Sequence, residues 1–283
     1  MLLDKNAVIT GGARGIGFAI AKELVNQGAK VVICSRTKAQ LQEALLNLNE
    51  KGKVAYGLVA DVSNISDCKK LIKFARNKFK KIHILVNNAG IYGPIGPFER
   101  VNLEDWQQAL QINFMGMVYC SYLVIPLMEK SKGGKIINLC GAGVGGNSLP
   151  RFSAYFTSKF AIAGFSEVLA EELKEKNIQV NSISPGGVNT YLNEYLLKQG
   201  PKKSGKKMYE QALNQKKTGG TPPEPAAALV AFLSSDQANH ISGRLLSAKW
   251  NLPKDLKKVK LTVKLNSNLY KLRRIDQELF YEK

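Results

Sequence analysis

Tyr155 and Lys159 are the two residues whose types and spacing most directly suggest chemistry. Because they lie four positions apart, they share one face of any helix that contains them both. An ammonium group beside a phenol favours its ionisation and moves its pKa, ordinarily about 10, towards neutrality. Such a tyrosine can give a proton to a substrate oxygen or take one from it. Ten tyrosines and 33 lysines in 283 residues produce about one such spacing by chance. The pair alone is therefore weak evidence for a catalytic site, and other motifs in the chain have to agree with it.

A glycine-rich segment at 10–17, TGGARGIG, links the first apolar run of the chain to a helical pattern. Glycines let the backbone turn tightly and approach a pyrophosphate, which then lies at the positive end of the helix. A glycine motif alone is weak evidence, but directly after an N-terminal strand and at the start of a helix it predicts a dinucleotide site. The alternative is a structural turn without a ligand.

The end of the second predicted strand bears on which dinucleotide is bound. A carboxylate there accepts hydrogen bonds from a ribose 2′-hydroxyl, whereas an arginine pairs with a 2′-phosphate. The chain has Ser35 and Arg36 at this point, no acidic residue until Glu43, and a second cation, Arg14, in the glycine segment. We therefore predict NADP(H) as the preferred cofactor. NAD(H) is the alternative if Arg36 is only a solvated surface charge.

Polar or small residues follow three other predicted strands. Asp61 and Val62 follow the third strand, where a carboxylate can reach an adenine amino group, and 87–90 (NNAG) follows the fourth and closes the floor under a ribose. The segment 185–190 (PGGVNT) follows the sixth and offers backbone groups to a carboxamide. Asn113 lies inside an otherwise apolar helical stretch, where it is either merely tolerated, bends the helix or holds a water.

Apolar runs alternate with helical patterns along the chain. Strands are predicted at 5–10, 30–34, 54–60, 82–87, 135–139 and 178–184, and helices at 15–27, 37–50, 66–79 (capped by Ser66), 103–129 and 152–176. This alternation predicts an α/β fold with a doubly wound parallel sheet that helices flank on both faces. No linker precedes about residue 248, which favours a single domain.

The segments 10–17 and 87–90, Asn113, the Tyr155/Lys159 pair and the segment 185–190 together resemble the short-chain dehydrogenase/reductase family in order and spacing. The resemblance covers about residues 4–248. It implies one Rossmann-type catalytic domain, 1–248, with about seven parallel strands, a last helix at 224–233 and a last strand at 243–248. It also implies an NAD(P)-dependent oxidoreductase acting on a small-molecule carbonyl or alcohol, assembled as a homodimer or homotetramer.

Carried over to the matching positions, the resemblance assigns Tyr155 as the acid/base that protonates a carbonyl oxygen as hydride leaves the nicotinamide. It assigns Lys159 to the nicotinamide ribose and to lowering the pKa of Tyr155, and Asn113 to the water that links Lys159 with solvent. The predicted cofactor-binding residues are Gly11, Arg14, Gly15, Ile16, Gly17, Ser35, Arg36, Asp61, Val62, Asn88, Ala89, Gly90, Tyr155, Lys159, Pro185, Gly186, Val188 and Thr190.

One member of the family pattern is absent. The family has a serine after the fifth strand that donates a hydrogen bond to the substrate oxygen, and here the matching position is Gly141, counted from Asn138, or Ala142, counted back from Tyr155. Neither side chain can donate. Other candidate donors are Cys140, Asn147, Ser148, Ser153 and the backbone N–H groups of the glycine run. Loss of such a donor commonly lowers the rate by about 10²–10³.

Two hypotheses follow from the missing serine. In the first, the protein is a reductase whose oxygen-binding donor has been relocated. In the second, it is a catalytically impaired dinucleotide-binding protein with a regulatory or structural role. The presence of Asn113, Tyr155 and Lys159 favours the first.

The chain is strongly basic, with a net charge of +19 carried mainly by lysine. It has no zinc-finger spacing, arginine-rich helix or aromatic RNA-binding box, so a lysine-rich composition is preferred over a nucleic-acid partner. A local excess lies in the segment 198–217, which by resemblance covers the substrate and contains Lys198, Lys202, Lys203, Lys206, Lys207, Lys216 and Lys217. It either receives an anionic substrate or is a solvated mobile loop, and the two hypotheses have equal support.

The last part of the chain, 249–283, departs from the family pattern. Residues 258–265 alternate strictly between apolar and polar and predict a half-buried strand, so we expect this extension to pack on the domain or on a neighbouring subunit. There is no run of eighteen apolar residues and no signal-peptide pattern, and the four cysteines have no metal-type spacing. These features predict a cytoplasmic protein with no metal and no membrane partner.

Overall fold

Seven parallel strands form one sheet in the computed structural model, which describes residues 1–50, 52–141, 143–145, 148–251, 253–256 and 270–272. The strands are β1 (Asn6–Ile9), β2 (Lys30–Ser35), β3 (Ala55–Val59), β4 (Ile84–Asn87), β5 (Gly134–Leu139), β6 (Ile178–Ser184) and β7 (Leu245–Ser247), in the order β3-β2-β1-β4-β5-β6-β7. The order reverses between β1 and β4, which is where such sheets bind dinucleotides. The predicted α/β, Rossmann-type fold with seven strands is confirmed.

Helices cover both faces of the sheet, so the central strands are apolar throughout rather than alternating. They are α1 (Gly15–Asn26), α2 (Lys38–Leu48), α3 (Ile65–Phe79), α4 (Leu103–Leu110), α5 (Gly116–Lys130), α6 (Ser153–Glu172), α7 (Tyr191–Ser204), α8 (Lys206–Thr218), α9 (Glu224–Ser234) and α10 (Pro253–Leu256). One core cluster joins α1, α2 and α9 to the sheet. A second joins α3, α5 and α6 to the opposite face.

Two local predictions differ from the structure. The long helix predicted at 103–129 is interrupted by a π-helical turn, Gln111–Met115, that separates α4 from α5 and contains Asn113. Such turns insert one residue into a helix and re-aim its side chains, and they are frequent at functional sites. The cap of α3 is Asn64 rather than Ser66, because the Asn64 side chain accepts a hydrogen bond from the Ser66 N–H and the helix begins one residue earlier.

The basic segment 198–217 is helical and not a loop. It forms the end of α7 and most of α8, and these two helices pack against each other. Gly200 and Gly205 have φ values of 72° and 84°, which place a kink inside α7 and a turn between the helices. Only glycine adopts these angles readily. The sequence therefore specifies a helical hairpin, which we call the flap (residues 191–218).

The described part of the C-terminal extension lies against the domain. The Leu245 N–H donates to the Tyr270 carbonyl at 2.7 Å. Tyr270 therefore lies beside β7, the last strand at this edge of the sheet. Lys271 is 11% exposed, and its ammonium lies 3.5 Å from a carboxylate oxygen of Glu167 on α6. The strand predicted at 258–265 lies outside the described residues, and the division into 1–248 and 249–283 stays a prediction.

One helical stretch of the described chain, Leu103–Lys130, is long and apolar enough to cross a membrane, with a mean hydropathy of 1.4. The buried core helices of soluble proteins pass the same test. This stretch is α4, the π turn and α5, and its residues Ile112, Val124 and Met128 pack in the second core cluster. The absence of a membrane partner stays a prediction.

Candidate functional site

The carboxyl ends of the strands open onto one cleft of about 480 Å³. Most of the predicted cofactor residues line it, which brings the start and the middle of the chain together. The predicted residues in its wall are Gly11, Arg14, Gly15, Ile16, Gly17, Ser35, Arg36, Asp61, Val62, Asn88, Ala89, Gly90, Tyr155, Lys159, Pro185 and Thr190. Gly186, Val188 and Asn113 are not part of this wall.

The glycine segment has the geometry of a phosphate cradle. Gly11 and Gly15 have φ values of 62° and 55°, a region that favours glycine. A Cβ on Gly17 would collide with the Gly11 carbonyl and with the Asn88 side chain, so the first turn of α1 packs directly on the loop. The Asn88 amide in turn donates to the carbonyls of Thr10 and Gly11, each at 3.0 Å. These close approaches fit a bound pyrophosphate at the start of α1.

Two arginines line the cleft, Arg36 directly after β2 and Arg14 directly before α1. Arg36 is more than half exposed, and its guanidinium lies 3.7 Å from a carboxylate oxygen of Asp61. Asp61 also accepts hydrogen bonds from the Ser63 N–H at 2.9 Å and hydroxyl at 2.7 Å. Arg14 lies over the ring of Tyr191 at 4.2 Å from its centroid. At 3.7 Å the Arg36–Asp61 contact is a long ion pair, so guanidinium N–H groups remain available to a further anion.

Tyr155 and Lys159 lie on α6 beside the end of β5, as the spacing predicts. They are 8% and 4% exposed. The Lys159 ammonium donates to the Leu139 carbonyl at 2.8 Å and lies 5.5 Å from the centroid of the Tyr155 ring. The buried cation is therefore fixed by the last residue of β5, beneath the phenol.

The pKa of Tyr155 moves in the direction opposite to the sequence prediction. Burial raises it above its usual value, and the nearby Tyr92 and Cys140 add to the rise. Burial also lowers the pKa of Lys159 from 10.5 to about 8. Burial is the largest cause of the pKa shift in both groups, and the ammonium is bonded to the Leu139 carbonyl. The net shift of the Tyr155 pKa is therefore upward in this structure, and the lowering contributed by Lys159 stays a prediction.

Asn113 fixes the segment that follows β4. Its side chain accepts from the Ile91 N–H at 2.8 Å and donates to the Ile91 carbonyl at 2.9 Å, and it also donates to the Ser158 hydroxyl at 2.9 Å. It is 2% exposed, so all these bonds are shielded from water. Asn113 thus connects the π turn, the loop after β4 and α6. Ile91 and Ser158 have no sequence signal of their own for this role, since nothing in their types distinguishes them from other core residues.

The position of the missing serine is occupied by the phenol itself. A Cβ on Gly141 would lie 2.5 Å from the Tyr155 hydroxyl oxygen, so glycine makes room for the tyrosine. Ser153 accepts a hydrogen bond from the indole N–H of Trp106 at 3.0 Å, and the buried Cys140 thiol points to the Lys159 carbonyl at 3.7 Å. Ser148 is exposed. Ala142 and Asn147 lie outside the described residues.

The flap covers the Tyr155 end of the cleft. Leu196 and Ala212, from its two helices, pack in one cluster with Ile95, Phe152 and Tyr155. Arg151, just before α6, donates to the Lys202 carbonyl at 2.8 Å and ties the flap to the domain. The seven flap lysines all lie on its exposed surface.

Known proteins are similar to this chain in sequence and in fold. The family described as short chain dehydrogenase matches residues 5–200. Dehydrogenase/reductase SDR family member 4 of Mus musculus is 33% identical over 255 residues, covering 90% of this chain and 89% of the relative. A NAD+-bound xylitol dehydrogenase superimposes with a TM-score of 0.79 at 26% identity, covering 87% of this chain and 98% of the other. A levodione reductase gives 0.78 at 25% identity, covering 87% and 96%.

Proposed function

The chain belongs to the short-chain dehydrogenase/reductase family, and from this membership we propose an NADPH-preferring carbonyl reductase with Tyr155 as its proton donor. Membership makes it an oxidoreductase that uses a nicotinamide dinucleotide and acts on CH–OH or C=O groups of small molecules. The observation that carries the proposal is the placement of Tyr155 and Lys159 in the wall of the dinucleotide cleft, with Asn113 behind them.

Bound NADPH supplies a hydride to a carbonyl carbon, and the oxygen then needs a proton. The Tyr155 hydroxyl, buried beside Gly141, is placed to donate that proton. Because burial raises its pKa, Tyr155 stays protonated at physiological pH, and an alkoxide is basic enough to take its proton. Reduction requires Tyr155 in this protonated state, whereas oxidation of an alcohol would require the phenolate.

Lys159 and Asn113 are proposed to support this proton transfer. The Lys159 ammonium lies beneath the phenol ring and stabilises the phenolate left after the proton departs. We also propose that Lys159 binds the nicotinamide ribose, and its position in the cleft wall supports this role. Asn113 fixes Ile91 and Ser158 around the pair, and we propose that it also holds a water that returns a proton to the site.

NADPH preference is proposed from Arg14 and Arg36. We expect Arg36→Ala to raise the Kd for NADPH by about 10- to 100-fold and to leave the Kd for NADH within about threefold, because a charge-assisted hydrogen bond contributes about 1.5–3 kcal/mol. Fluorescence titration with both nucleotides measures the change. Arg100→Ala is the matched control, since Arg100 is 80% exposed and contacts Glu99 away from the cleft. Equal weakening for both nucleotides would contradict a 2′-phosphate site.

An anionic substrate is proposed from the seven flap lysines. Mobile surface charges raise the local concentration of an oppositely charged ligand, and salt screens the effect. We expect alanine at Lys202, Lys203, Lys206 and Lys207 to raise KM for an anionic carbonyl, such as pyruvate or acetoacetyl-coenzyme A, about tenfold at low salt. KM for the neutral cyclohexanone stays unchanged.

The control for this prediction replaces four exposed lysines on other helices. These are Lys69, Lys73, Lys130 and Lys174. It removes the same total charge without touching the flap. If both quadruple variants behave alike, or if KM for the anionic carbonyls is unchanged, the flap has no part in recognising the substrate.

The rival hypothesis is a dinucleotide-binding protein without turnover. Nucleotide binding cannot separate the two, whereas turnover can. The test follows consumption of NADPH with cyclohexanone, benzaldehyde, levodione and the anionic carbonyls above. Tight NADPH binding without turnover on any of them would favour the rival.

A homodimer or homotetramer is proposed from the apolar residues that α5 and α6 expose. Tyr122 is 72% exposed, Val168 59% and Phe160 37%. Light scattering on the purified chain tests this, and a monomer at micromolar concentration would contradict it. A cytoplasmic location stays a prediction, supported by four buried free cysteines, which fit a reducing compartment.

A further inference from the structure

A second tyrosine lies beside Tyr155 on the flap side. Tyr92, in the loop after β4, packs edge-to-face with Tyr155 at 4.8 Å between ring centroids and an interplanar angle of 72°. It makes a similar contact with Phe152 at 5.3 Å and 68°. It also joins the cluster that contains Leu196 and Ala212 of the flap. Tyr92 therefore lies between the Tyr155 ring and the cover of the site.

The Tyr92 hydroxyl is available to a ligand. No residue within the described ranges forms a hydrogen bond with it. The ring is half-buried, and burial raises the pKa of the hydroxyl above its usual value, so it remains a proton-bearing donor. The Tyr92 oxygen is not among the fully buried polar atoms without a partner in the described chain, so water or a ligand can reach it. A substrate oxygen that displaces this water would be a suitable partner for the hydroxyl.

The backbone on both sides of Tyr92 is held in place. Asn113 binds the N–H and the carbonyl of Ile91, the preceding residue. Gly93, the following residue, has a φ of 71°, and a Cβ there would lie 2.5 Å from the Ala109 Cβ. Two anchors therefore fix the chain immediately before and after the tyrosine. Preorganised donors of this kind stabilise the charge that develops in a transition state.

Other described residues around Tyr155 differ from Tyr92 in their contacts. Gly141 has no side chain, and the Cys140 thiol points to a backbone carbonyl. The Ser153 hydroxyl accepts from the Trp106 indole N–H, which ties it to α4. Ser158 donates to the Tyr155 carbonyl at 2.7 Å. Tyr92 is thus a tyrosine in ring contact with Tyr155 whose hydroxyl has no partner among the described residues.

We propose that the Tyr92 hydroxyl is the second hydrogen-bond donor to the substrate oxygen, beside Tyr155. The proposal rests on the carbonyl reductase function above. As the hydride adds to the carbonyl carbon, the electron pair of the C=O π bond moves to the oxygen. Tyr155 transfers its proton to that oxygen, while Tyr92 keeps its own proton and only donates a hydrogen bond. Tyr92 is then a catalytic residue that a search for serine overlooks.

The test is Tyr92→Phe, which keeps the ring and its packing and removes only the hydroxyl. We expect kcat with whichever of levodione, cyclohexanone or benzaldehyde the wild type reduces fastest to fall about 10²-fold. The Kd for NADPH and the thermal midpoint should stay at wild-type values. Tyr56→Phe is the matched control. Tyr56, on β3, is also half-buried, and its ring packs edge-to-face on Phe79 with 5.7 Å between the ring centroids. This substitution should leave kcat unchanged.

A second measurement separates a catalytic role from a structural one. If Tyr92 and Tyr155 act on the same oxygen, Tyr92→Phe should lower kcat much less in a Tyr155→Phe background than in the wild type. Full additivity, or a loss of NADPH affinity in Tyr92→Phe, would overturn the proposal. A wild-type kcat in Tyr92→Phe would also overturn it and leave the reductase function standing. A wild type that reduces none of the probes would remove both.

Discussion

Tyr155→Phe is expected to lower kcat for carbonyl reduction by about 10³–10⁴, the upper part of the range for loss of a general acid. The substitution removes only the hydroxyl that lies against Gly141. The ring keeps its contact with Tyr92, and no hydrogen bond to another described residue is lost. The Kd for NADPH should therefore stay within about threefold, and the thermal midpoint should be unchanged.

Stopped-flow measurement of a single turnover checks this expectation, because it isolates the chemical step from product release. Tyr56→Phe serves as the control for replacing a half-buried phenol by a phenyl ring. If the single-turnover rate of Tyr155→Phe equals that of the wild type, another group supplies the proton. If only the affinity for NADPH falls and the single-turnover rate at saturating NADPH is unchanged, Tyr155 binds the cofactor and does not donate the proton.

Lys159→Met is expected to lower kcat by about 10²–10³. At an effective dielectric constant of about 20, a unit charge 5.5 Å from the phenol ring stabilises the phenolate by about 3 kcal/mol, or about 10² in rate. Loss of the proposed ribose contact adds to the effect. Methionine fills a similar volume without the charge, so the helix and the cleft should be preserved.

The same substitution should leave a signature in the pH dependence of stability. Lys159 titrates at about 8 when folded and at 10.5 as a free side chain, so between these values the unfolded chain binds the additional proton. The free energy of unfolding therefore rises with pH in this window, by up to about 1.4 kcal/mol per pH unit from this residue. Lys159→Met should remove that part of the rise, as measured by urea unfolding from pH 7 to about pH 10.

Lys135→Met is the matched control for both parts of this prediction. Lys135 is also buried, with a pKa lowered by burial to about 8, and its ammonium donates to Asn239 at 2.6 Å. It lies near the start of β5, at the opposite end of the strand from the cleft. Its replacement should change the pH dependence of stability in the same direction and leave kcat unchanged. Equal losses of kcat in both variants would show that Lys159 acts only through the fold.

The sheet and its cleft were predictable because the signals that specify them are local. Apolar runs such as 30–34 have no polar face to expose, so they predict strands buried on both sides, as β2 is. The glycine segment 10–17 directly follows β1 and opens α1, so its position in the chain alone predicts a dinucleotide loop. The Tyr155/Lys159 spacing was informative for the same reason, since a helix turns both residues to one side.

The parts that escaped prediction depend on contacts between distant segments. The π turn contains Asn113, whose side chain binds Ile91 and Ser158, and no periodicity within 103–129 reveals these contacts. The pKa of Tyr155 depends on how deeply its phenol is buried and on the nearby Tyr92 and Cys140. Tyr92 has no motif at all, and only its position against the Tyr155 ring makes it a candidate.

The central claim is a direct transfer of hydride from the nicotinamide to a carbonyl carbon at the cleft in front of Tyr155. It is tested most directly by supplying NADPH in which deuterium replaces both hydrogens of the transferring nicotinamide carbon, and by analysing the alcohol product by mass spectrometry. The account predicts one deuterium on the former carbonyl carbon of every product molecule, formed by the wild type and about 10³–10⁴ times more slowly by Tyr155→Phe. Product without deuterium, or equal rates for the two proteins, would contradict it.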